Sequence, residues 1–476
     1  MNRSIRLVSL FALILTAVLL VNLTVIQAFS DDKYAHNPKN VRGFLEMRTT
    51  PRGQIFAGDT VLAQSTADAE GNYSRSYPAD SPAFANITGY LSERFGASQL
   101  EASQNDILNG KDDSLLARNW LDTLSGKPQM GANVEVTIDP ALQQAAYDQL
   151  AGPGYNGAAV AIQPSTGKIL AMASTPSFNV SDLLGDNASE RWEQLQNQEG
   201  TPLVNHAAQD TLPPGSIFKI ITTAAGLNNG FNPNSTLTGA ASITLPDSVT
   251  ELTNYGNQAC GGAESVTLQT AFALSCNTAF VQMSESIGAD ELRKYADGFG
   301  VGEQYSLGVG NSAGTLGELG DGAQVAQSAI GQRDVTMSAL QAAIMAGTIA
   351  NKGKRMEPYL VNRITDAQMK ELRTTKPRQA AEAVDEETAN TITNLMFASE
   401  RSTFGFDGNG FASKTGTAEH GEGLAPHVWY VAFDPEKDIA VGVVVKDGGN
   451  LGQNATGGQV SAPIGRAILR AYGGQQ

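Results

Sequence analysis

The sequence contains few of the residues from which metal sites and disulfide-rich scaffolds are built. Its 476 residues include two cysteines and four histidines. The histidines are His36, His206, His420 and His427. Two cysteines are too few for a cysteine zinc site, and the histidines show no H-E-x-x-H or comparable spacing. We therefore predict no metal site and no cofactor.

Positive charge is also scarce. Lysine and arginine total 32 against 48 aspartates and glutamates, which gives a net charge of -16. Proteins that bind nucleic acid through its phosphates usually present a basic surface, so this composition excludes nucleic acid as a partner. At about 150 residues per domain, the length predicts two or three domains.

Residues 7–30 form a long apolar stretch without charged residues, and no second apolar stretch in the sequence approaches its length. A helix of this length, at about 1.5 Å per residue, spans the roughly 30 Å hydrocarbon core of a membrane. Arg3 and Arg6 precede the stretch and Asp31 and Asp32 follow it, which predicts a cytoplasmic N-terminus and an extracytoplasmic remainder. A cleaved signal peptide is the alternative, but the apolar run is long and no clear A-x-A site follows it. We predict that residues 1–30 are an uncleaved, single-pass cell-membrane anchor.

The two cysteines, Cys260 and Cys276, are therefore expected outside the cytoplasm, where disulfides persist. An even cysteine count in that compartment predicts a bridge between them. The alternative is that they are two separately buried small residues.

The residue pattern divides the remaining chain into two parts. Residues 31–132 are polar and rich in turn residues, which predicts an irregular pedestal or interaction domain. At residue 133 the pattern sharpens into a β-branched run followed by a helix that Pro140 can open. Two apolar strand pairs, one after residue 157 and one near the C-terminus, enclose a long portion with helical patterns. For 133–476 we predict an α+β fold with one antiparallel sheet and helices packed against it.

The segment "LPPGSIFKI" places Ser216 and Lys219 three residues apart at the start of an almost wholly apolar helix. This spacing puts the hydroxyl and the amine one above the other, as a nucleophile and its base are arranged. A lysine in such a helix favours its neutral form, because an unpaired buried ammonium is costly. Taken alone the motif is weak, since an N-cap serine with a snorkelling lysine is more common.

Two further motifs follow in order. "SCN" contains Ser275 and Asn277, and "KTGT" runs from Lys414 to Thr417 in a strand pattern. The succession S-x-x-K, S-x-N and K-T-G is the signature of penicillin-binding proteins and serine β-lactamases. The three motifs together are a strong indication of serine acyl-transfer chemistry.

On these motifs, and on segments such as "PSTGKILAMASTPSFN", "AIGQRDVTMSALQAA" and "PHVWYVAF", the chain resembles a class B penicillin-binding protein over nearly its whole length. The resemblance implies a penicillin-binding transpeptidase domain, β-lactamase-like in fold, at 133–476. It also implies a peptidoglycan D,D-transpeptidase that cross-links stem peptides during cell-wall synthesis and division. β-Lactam antibiotics would acylate such an enzyme.

The resemblance also implies roles for the motif residues. Ser216 would attack the D-Ala-D-Ala carbonyl, Lys219 would take its proton, and the amides of Ser216 and Thr417 would form an oxyanion hole. Ser275 would relay a proton to the leaving amine, and Asn277 would orient Lys219 and the substrate amide.

The same resemblance implies that the "KTGT" strand recognises the substrate. Lys414 would attract the substrate carboxylate and help to keep Lys219 neutral, while the hydroxyls of Thr415 and Thr417 would hydrogen-bond that carboxylate. Gly416 belongs to the same substrate-binding strand. The implied partners are a membrane-embedded glycan polymerase and division or elongation proteins.

Other functional interpretations of the three motifs stay open. A serine β-lactamase would need a carboxylate that activates a deacylating water, and no clear E-x-x-L-N element is present. A D,D-carboxypeptidase would differ only in its acceptor, water instead of an amine. A β-lactam sensor or a scaffold would bind without cross-linking. His420 and His427 flank the strands near the site and are interpreted as surface or rim residues, and Trp429 and Tyr430 as core.

Overall fold

The computed structural model describes residues 3–29, 48–112, 130–421 and 423–473. Most of the predicted pedestal lies within these ranges, but its segments 31–47 and 113–129 lie outside them. His36, Asp31 and Asp32 are likewise outside the described residues, as is Ser30 at the end of the predicted anchor.

Local sequence signals account for the main helices. Asp139 caps the helix that Pro140 opens, because its carboxylate accepts the amides of Ala141 and Leu142. Ser338 and Gln341 form a reciprocal capping box at the start of another helix. The helices are α1 Arg3–Phe29, α2 Pro82–Thr88, α3 Gln99–Ser103, α4 Asn105–Leu108, α5 Pro140–Ala151, α6 Ala188–Asn197, α7 Lys219–Asn228, α8 Leu268–Ala273, α9 Asn277–Gly298, α10 Gly322–Ala329, α11 Ala339–Ala350, α12 Glu386–Ser402 and α13 Ser461–Ala471.

The strands are mostly short outside one central sheet. They are β1 Ile55–Ala57, β2 Thr60–Ala67, β3 Tyr73–Ser76, β4 Leu91–Ser92, β5 Gly96–Ala97, β6 Asn133–Val136, β7 Gly157–Ile162, β8 Ile169–Thr175, β9 Thr236–Thr238, β10 Ser242–Thr244, β11 Glu251–Thr253, β12 Ser265–Thr267, β13 Lys354–Met356, β14 Val361–Thr365, β15 Glu371–Thr374, β16 Gln379–Glu382, β17 Ala412–Ala418, β18 His427–Asp434 and β19 Ile439–Val445.

The central sheet has five antiparallel strands in the order β17-β18-β19-β7-β8. The predicted hairpins are its β7-β8 and β18-β19 pairs, joined because β19 pairs with β7. Its strands are buried on both faces: α5 and α13 pack on one face and α11 on the other. This arrangement confirms the predicted α+β fold, in which strands from both ends of the domain form one sheet. β17, which carries the "KTGT" motif, is an edge strand.

A second, mixed sheet of six strands has the order β15-β14-β6-β1-β2-β3. In it β6 pairs in parallel with β1 and antiparallel with β14. Strands from before and after residue 132 therefore share one sheet, so backbone pairing crosses the boundary that the composition suggested. The domain limits 31–132 and 133–476 remain a prediction.

The helix at the N-terminus is long and apolar enough to cross a membrane. Residues Arg3–Val25 have a mean hydropathy of 2.5, and none of this window is buried against the rest of the protein. Its apolar side chains are exposed all around the helix, as in a segment whose surroundings are lipid.

Candidate active site

The first motif lies in a tight turn that leads into a buried helix. Residues Gly215–Phe218 form one 3₁₀ turn, and α7 continues directly from Lys219. The helix predicted near Ser216 thus begins with this turn, and it ends at Asn228, with Asn229 as its C-cap. The apolar residues around the motif are fully buried, and Lys219 is 0% exposed among them.

The turn approaches strand β17 closely because glycines stand on both sides of the contact. Gly215 has φ +53, and a Cβ added there would lie 2.9 Å from the carbonyl oxygen of Thr417. A Cβ added at Gly416 would lie 2.7 Å from the carbonyl oxygen of Pro214. Trp429 of β18 also donates its indole N–H to Pro213 O at 2.8 Å. The serine turn is therefore held against the "KTGT" strand.

Lys219 reaches the second motif through three hydrogen bonds. Its Nζ lies 2.7 Å from the carbonyl oxygen of Ser275, 3.3 Å from Ser275 Oγ and 2.8 Å from Asn277 Oδ1. Asn277 is itself fixed, because its Nδ2 donates to Thr253 O at 3.0 Å. Asn277 thus presents an acceptor to Lys219.

Lys414 reaches the same serine from the opposite side. Its Nζ lies 2.9 Å from Ser275 Oγ and 3.0 Å from Thr415 O. Ser275 Oγ is therefore shared by two lysine amines and can connect them by proton transfer. The structure brings Ser275, Lys219, Asn277 and Lys414 into one hydrogen-bonded cluster.

The two remaining groups of predicted residues are less tightly joined to this cluster. No hydrogen bond links Ser216 Oγ to Lys219 Nζ among the described residues. Catalytic hydrogen bonds are often long before substrate binds, so the missing hydrogen bond does not exclude Lys219 as the base for Ser216. Thr415 and Thr417 lie on the opposite face of β17 from Lys414, because successive strand side chains alternate. Both threonines remain partly exposed at the sheet edge.

Burial lowers the pKa of both lysine amines. It lowers the pKa of Lys414 to about 7. Burial, together with the positive charge of Lys414, lowers the pKa of Lys219 well below its ordinary value. Neither lysine forms an ion pair within the part of the chain that the structure describes. Lys219 experiences both effects, and each of them favours its neutral, proton-accepting form.

We expect the acylation rate to fall in acid. Below its pKa Lys219 is protonated and cannot accept the serine proton, so the rate should drop about tenfold per pH unit. Replacing Lys414 by methionine removes the neighbouring charge that lowers the pKa of Lys219, so the midpoint should move to higher pH. Stopped-flow acylation by a chromogenic β-lactam from about pH 5 to about pH 9 measures both effects.

Lys294→Met is the matched control for this shift, because Lys294 is exposed and paired with Glu291 on α9. Its profile should superimpose on that of the native protein. An unchanged midpoint in Lys414→Met would contradict the electrostatic coupling of the two amines.

Ser275 occupies a strained backbone position between helices α8 and α9. Its φ is +61, in the left-handed region that non-glycine residues rarely adopt. Such strain persists where the surrounding structure imposes it, and it often marks functional residues. The next residue, Cys276, is joined to Cys260 with a Cα–Cα distance of 5.7 Å. The structure thus pairs the two cysteines as predicted, directly beside Ser275.

We expect the double variant Cys260→Ser, Cys276→Ser to be less stable. The bridge closes a loop of sequence separation 16, and removing a cross-link of that size costs about 3 kcal/mol in the chain-entropy model. Equilibrium urea unfolding of native and variant protein measures the difference, and reduced native protein provides a second reference. A variant that unfolds at the native midpoint would show that the bridge does not support this loop.

Sequence reasoning missed two aromatic residues beneath the amines. Lys219 Nζ lies 5.2 Å from the ring centroid of Phe280, and Lys414 Nζ lies 5.8 Å from that of Phe272. The face of an aromatic ring attracts a cation but carries no net negative charge. Each amine is therefore shielded from water without gaining an ionised partner. The signal in the sequence was a phenylalanine on either side of "SCN", in "TAFALSCNTAF".

Sequence reasoning also missed a buried carboxylate behind β17. Glu400 of α12 accepts hydrogen bonds from the hydroxyls of Ser413 and Tyr430 and from Arg466 Nε at 2.7 Å. Ser413 directly precedes Lys414, so this network fixes the strand from which the lysine projects. Tyr430 is a core residue, as the sequence indicated, and its hydroxyl is satisfied there.

Together these residues suit acyl transfer. A serine hydroxyl in a tight turn lies one helical turn from a buried amine whose pKa is lowered, and a second serine bridges that amine to another. Within the described residues, β17 has no strand partner on its outer side, so an extended peptide can pair there.

Residues 157–470 match the family described as the penicillin binding protein transpeptidase domain. Residues 52–134 match the penicillin binding protein A dimerisation domain. The chain is 43% identical over 490 residues to peptidoglycan D,D-transpeptidase PbpA of Mycolicibacterium smegmatis, covering 99% of each chain. It is 40% identical over 489 residues to PbpA of Mycobacterium tuberculosis, again over 99% of each chain.

Solved structures give the same result. The ceftriaxone acyl-enzyme complex of penicillin-binding protein A from M. tuberculosis is similar, with a TM-score of 0.86 and 40% identity. The similarity covers 90% of this chain and 99% of that one. The penicillin G acyl-enzyme complex of the same protein has a TM-score of 0.84, covering 89% and 99%.

Proposed function

Because this chain belongs to the penicillin-binding protein transpeptidase family, class B, we propose that it is a peptidoglycan D,D-transpeptidase that works through a serine acyl-enzyme. Its substrates are peptidoglycan stem peptides, and β-lactam antibiotics acylate the same serine. Ser216 is assigned as the nucleophile because its turn leads into α7 and lies against β17. The hydrogen-bonded cluster that contains Lys219 and Lys414 lies beside that turn.

Acylation begins with proton transfer from Ser216 Oγ to Lys219 Nζ. The oxygen attacks the carbonyl carbon between the two D-alanines, and the resulting oxyanion accepts hydrogen bonds from the amides of Ser216 and Thr417. The C–N bond then breaks. The proton passes through Ser275 to the leaving amine, and D-alanine departs, leaving an ester on Ser216.

The second half-reaction forms the cross-link. The amine of a second stem peptide attacks the ester carbonyl carbon, and Lys219 accepts the proton that this amine loses. The C–O bond to Ser216 breaks as the new peptide bond forms, and Ser216 Oγ regains a proton. Water as the acceptor would give a carboxypeptidase instead.

Binding of the donor peptide would use the free edge of β17. An extended peptide can add there as a further strand, which orients its scissile carbonyl towards the serine turn. The positive charge of Lys414, when protonated, attracts the terminal carboxylate of the substrate. The hydroxyls of Thr415 and Thr417, at the exposed edge, can hydrogen-bond it, and Gly416 allows the close approach of the serine turn.

The observation that carries this proposal is the double hydrogen bonding of Ser275 Oγ by Lys219 and Lys414. This arrangement supplies a base in Lys219, a proton relay in Ser275 and a positive charge in Lys414 within one site. Together they suit the loss of one proton and the return of another during acyl transfer.

A cross-linking assay tests the function. Full-length protein in detergent is given a stem-peptide thioester donor and a D-amino acid acceptor, and the products are separated by mass spectrometry. Aminolysis product that exceeds hydrolysis product supports a transpeptidase. Hydrolysis alone would indicate a carboxypeptidase, rapid hydrolysis of penicillin a β-lactamase, and stable labelling without turnover of the donor a sensor or scaffold.

The family is membrane-anchored, and α1 is the helix of this chain that is long and apolar enough to cross a membrane. We propose that its N-terminus is cytoplasmic and its catalytic portion extracytoplasmic. Protease added to intact spheroplasts should then digest the catalytic portion, and its protection would contradict this orientation.

We also propose that residues 52–134, which match a dimerisation domain, contribute to association with a membrane-embedded glycan polymerase and with division or elongation proteins. Cross-linking in cells followed by affinity purification tests this, with a variant lacking 52–112 as the comparison. Equal recovery of such proteins with both would contradict the role of this segment.

A further inference from the structure

Three potential metal ligands converge beyond the C-terminal end of strand β17. His420 follows that strand, His427 is the first residue of β18, and Asp447 lies in the irregular segment Lys446–Asn454 after β19. One ligand atom from each lies within 4.8 Å of the others. Spacing along the chain predicted no metal site, because the antiparallel sheet, and not a local motif, brings the three residues together.

The distances suit a small tetrahedral site. His420 Nε2 lies 3.3 Å from Asp447 Oδ1, and His427 Nδ1 lies 3.7 Å from the same oxygen. Ligands at about 2.0 to 2.1 Å from a tetrahedral Zn²⁺ are separated by about 3.3 to 3.4 Å. Both contacts are therefore close to the edges of a tetrahedron, and a water molecule can complete the fourth position.

Both histidines turn a ring nitrogen towards the aspartate. His427 Nδ1 accepts the backbone N–H of Asp447 at 3.2 Å, so its lone pair faces that residue. His427 is buried, 7% exposed, which corrects the interpretation of it as a surface residue. His420 is partly exposed, and its ring lies parallel to that of His427 with centroids 3.9 Å apart. Coordination would tilt the two rings apart and displace the Asp447 amide.

The neighbouring charges permit a cation here. Lys446 is the adjacent cation, and it is paired with Asp210. Asp447 carries an exposed carboxylate, and Glu419 beside His420 is also exposed. Two imidazoles and one carboxylate form a ligand set preferred by Zn²⁺ and similar transition metals.

We propose that His420, His427 and Asp447 bind a divalent transition-metal ion, Zn²⁺ by its ligand chemistry. The ion connects both ends of the 419–426 loop to the segment after β19. Because this loop joins the "KTGT" strand to β18, the ion stiffens the edge against which substrate would lie. The site is separate from Ser216 and takes no part in the acyl-transfer steps.

The test uses full-length protein in detergent, without a histidine tag and stripped of metal by a chelator. Titration with Zn²⁺ is followed by calorimetry, and titration with Co²⁺ by its visible absorption, which reports tetrahedral coordination. We expect one ion per chain and an affinity at least about tenfold lower in His420→Asn, His427→Asn and Asp447→Asn. Thermal unfolding of each variant without metal verifies that it is folded.

Two matched controls make the result specific. Glu419→Gln removes an exposed neighbouring carboxylate that is not a proposed ligand, and it should bind as the native protein does. Ser216→Ala should also bind normally, which separates failure of this proposal from failure of the proposed function. Native protein that binds neither ion, or binding that the three variants leave unchanged, would overturn the proposal.

Discussion

The Ser216→Ala variant is expected to form no covalent adduct with a fluorescent penicillin, whereas native protein should be labelled stably. The ester that retains the drug is made with Ser216 Oγ, and alanine has no atom that can replace it. Ser275 is no substitute, because its hydroxyl is engaged by Lys219 and Lys414. Gel fluorescence over time, followed by a chase with unlabelled drug, measures both labelling and release.

Ser165→Ala is a suitable matched control, since Ser165 is an exposed serine in the turn between β7 and β8. It should be labelled at the native rate. Undiminished labelling of Ser216→Ala would show that another residue is the nucleophile, and the assignment of the first motif would then be wrong.

The Lys219→Ala variant should fold but acylate at least about 100-fold more slowly, the lower end of what a positioned general base contributes. Its amine is the only group of the S-x-x-K motif that can accept the serine proton. It is also a hydrogen-bond partner of Ser275 Oγ, so its loss leaves the relay through Ser275 without its first member. The second-order rate constant with a chromogenic β-lactam is the quantity to compare.

Lys294→Ala controls for loss of a lysine, because Lys294 is 60% exposed on α9, where it forms an ion pair with Glu291. It should acylate at the native rate. If Lys219→Ala also retained a rate within about threefold of native, the general-base role would not hold, since a base contributes far more than that.

Much of the fold could be predicted because its signals are local. Pro140 opens α5 and Asp139 caps it, and continuous apolar runs mark β18 and β19. The apolar sequence after Ser216 predicts a buried helix, and α7 is one. Each of these features depends on residues within a few positions of one another.

The contacts between distant motifs were not predictable in the same way. Phe272 and Phe280 lie beneath the two lysine amines only because α8 and α9 pack against α7 and β17. The positive φ of Ser275 likewise follows from packing around it and has no signature in "SCN". The mixed sheet also depends on pairing between strands that lie far apart in the chain, because β6 pairs with β1 on one side and with β14 on the other.

Two histidines beyond the "KTGT" strand show most directly which contacts the sequence could not predict. His420 and His427 read as unremarkable flanking residues, yet the turn between β17 and β18 stacks their rings. Asp447 joins them from a third segment after β19. Side-chain clusters of this kind arise from strand register, which the sequence pattern specifies only for the buried faces.

The most direct test of the central assignment is peptide mapping after acylation. Native protein is treated with penicillin G, and the intact mass and tryptic peptides are measured. Trypsin releases residues 192–219 as one peptide, in which Ser216 is the only serine. We predict a single adduct of the drug's mass on that peptide, at Ser216. An adduct on any other peptide, or native protein that gains no mass, would contradict the assignment of Ser216 as the acylated nucleophile.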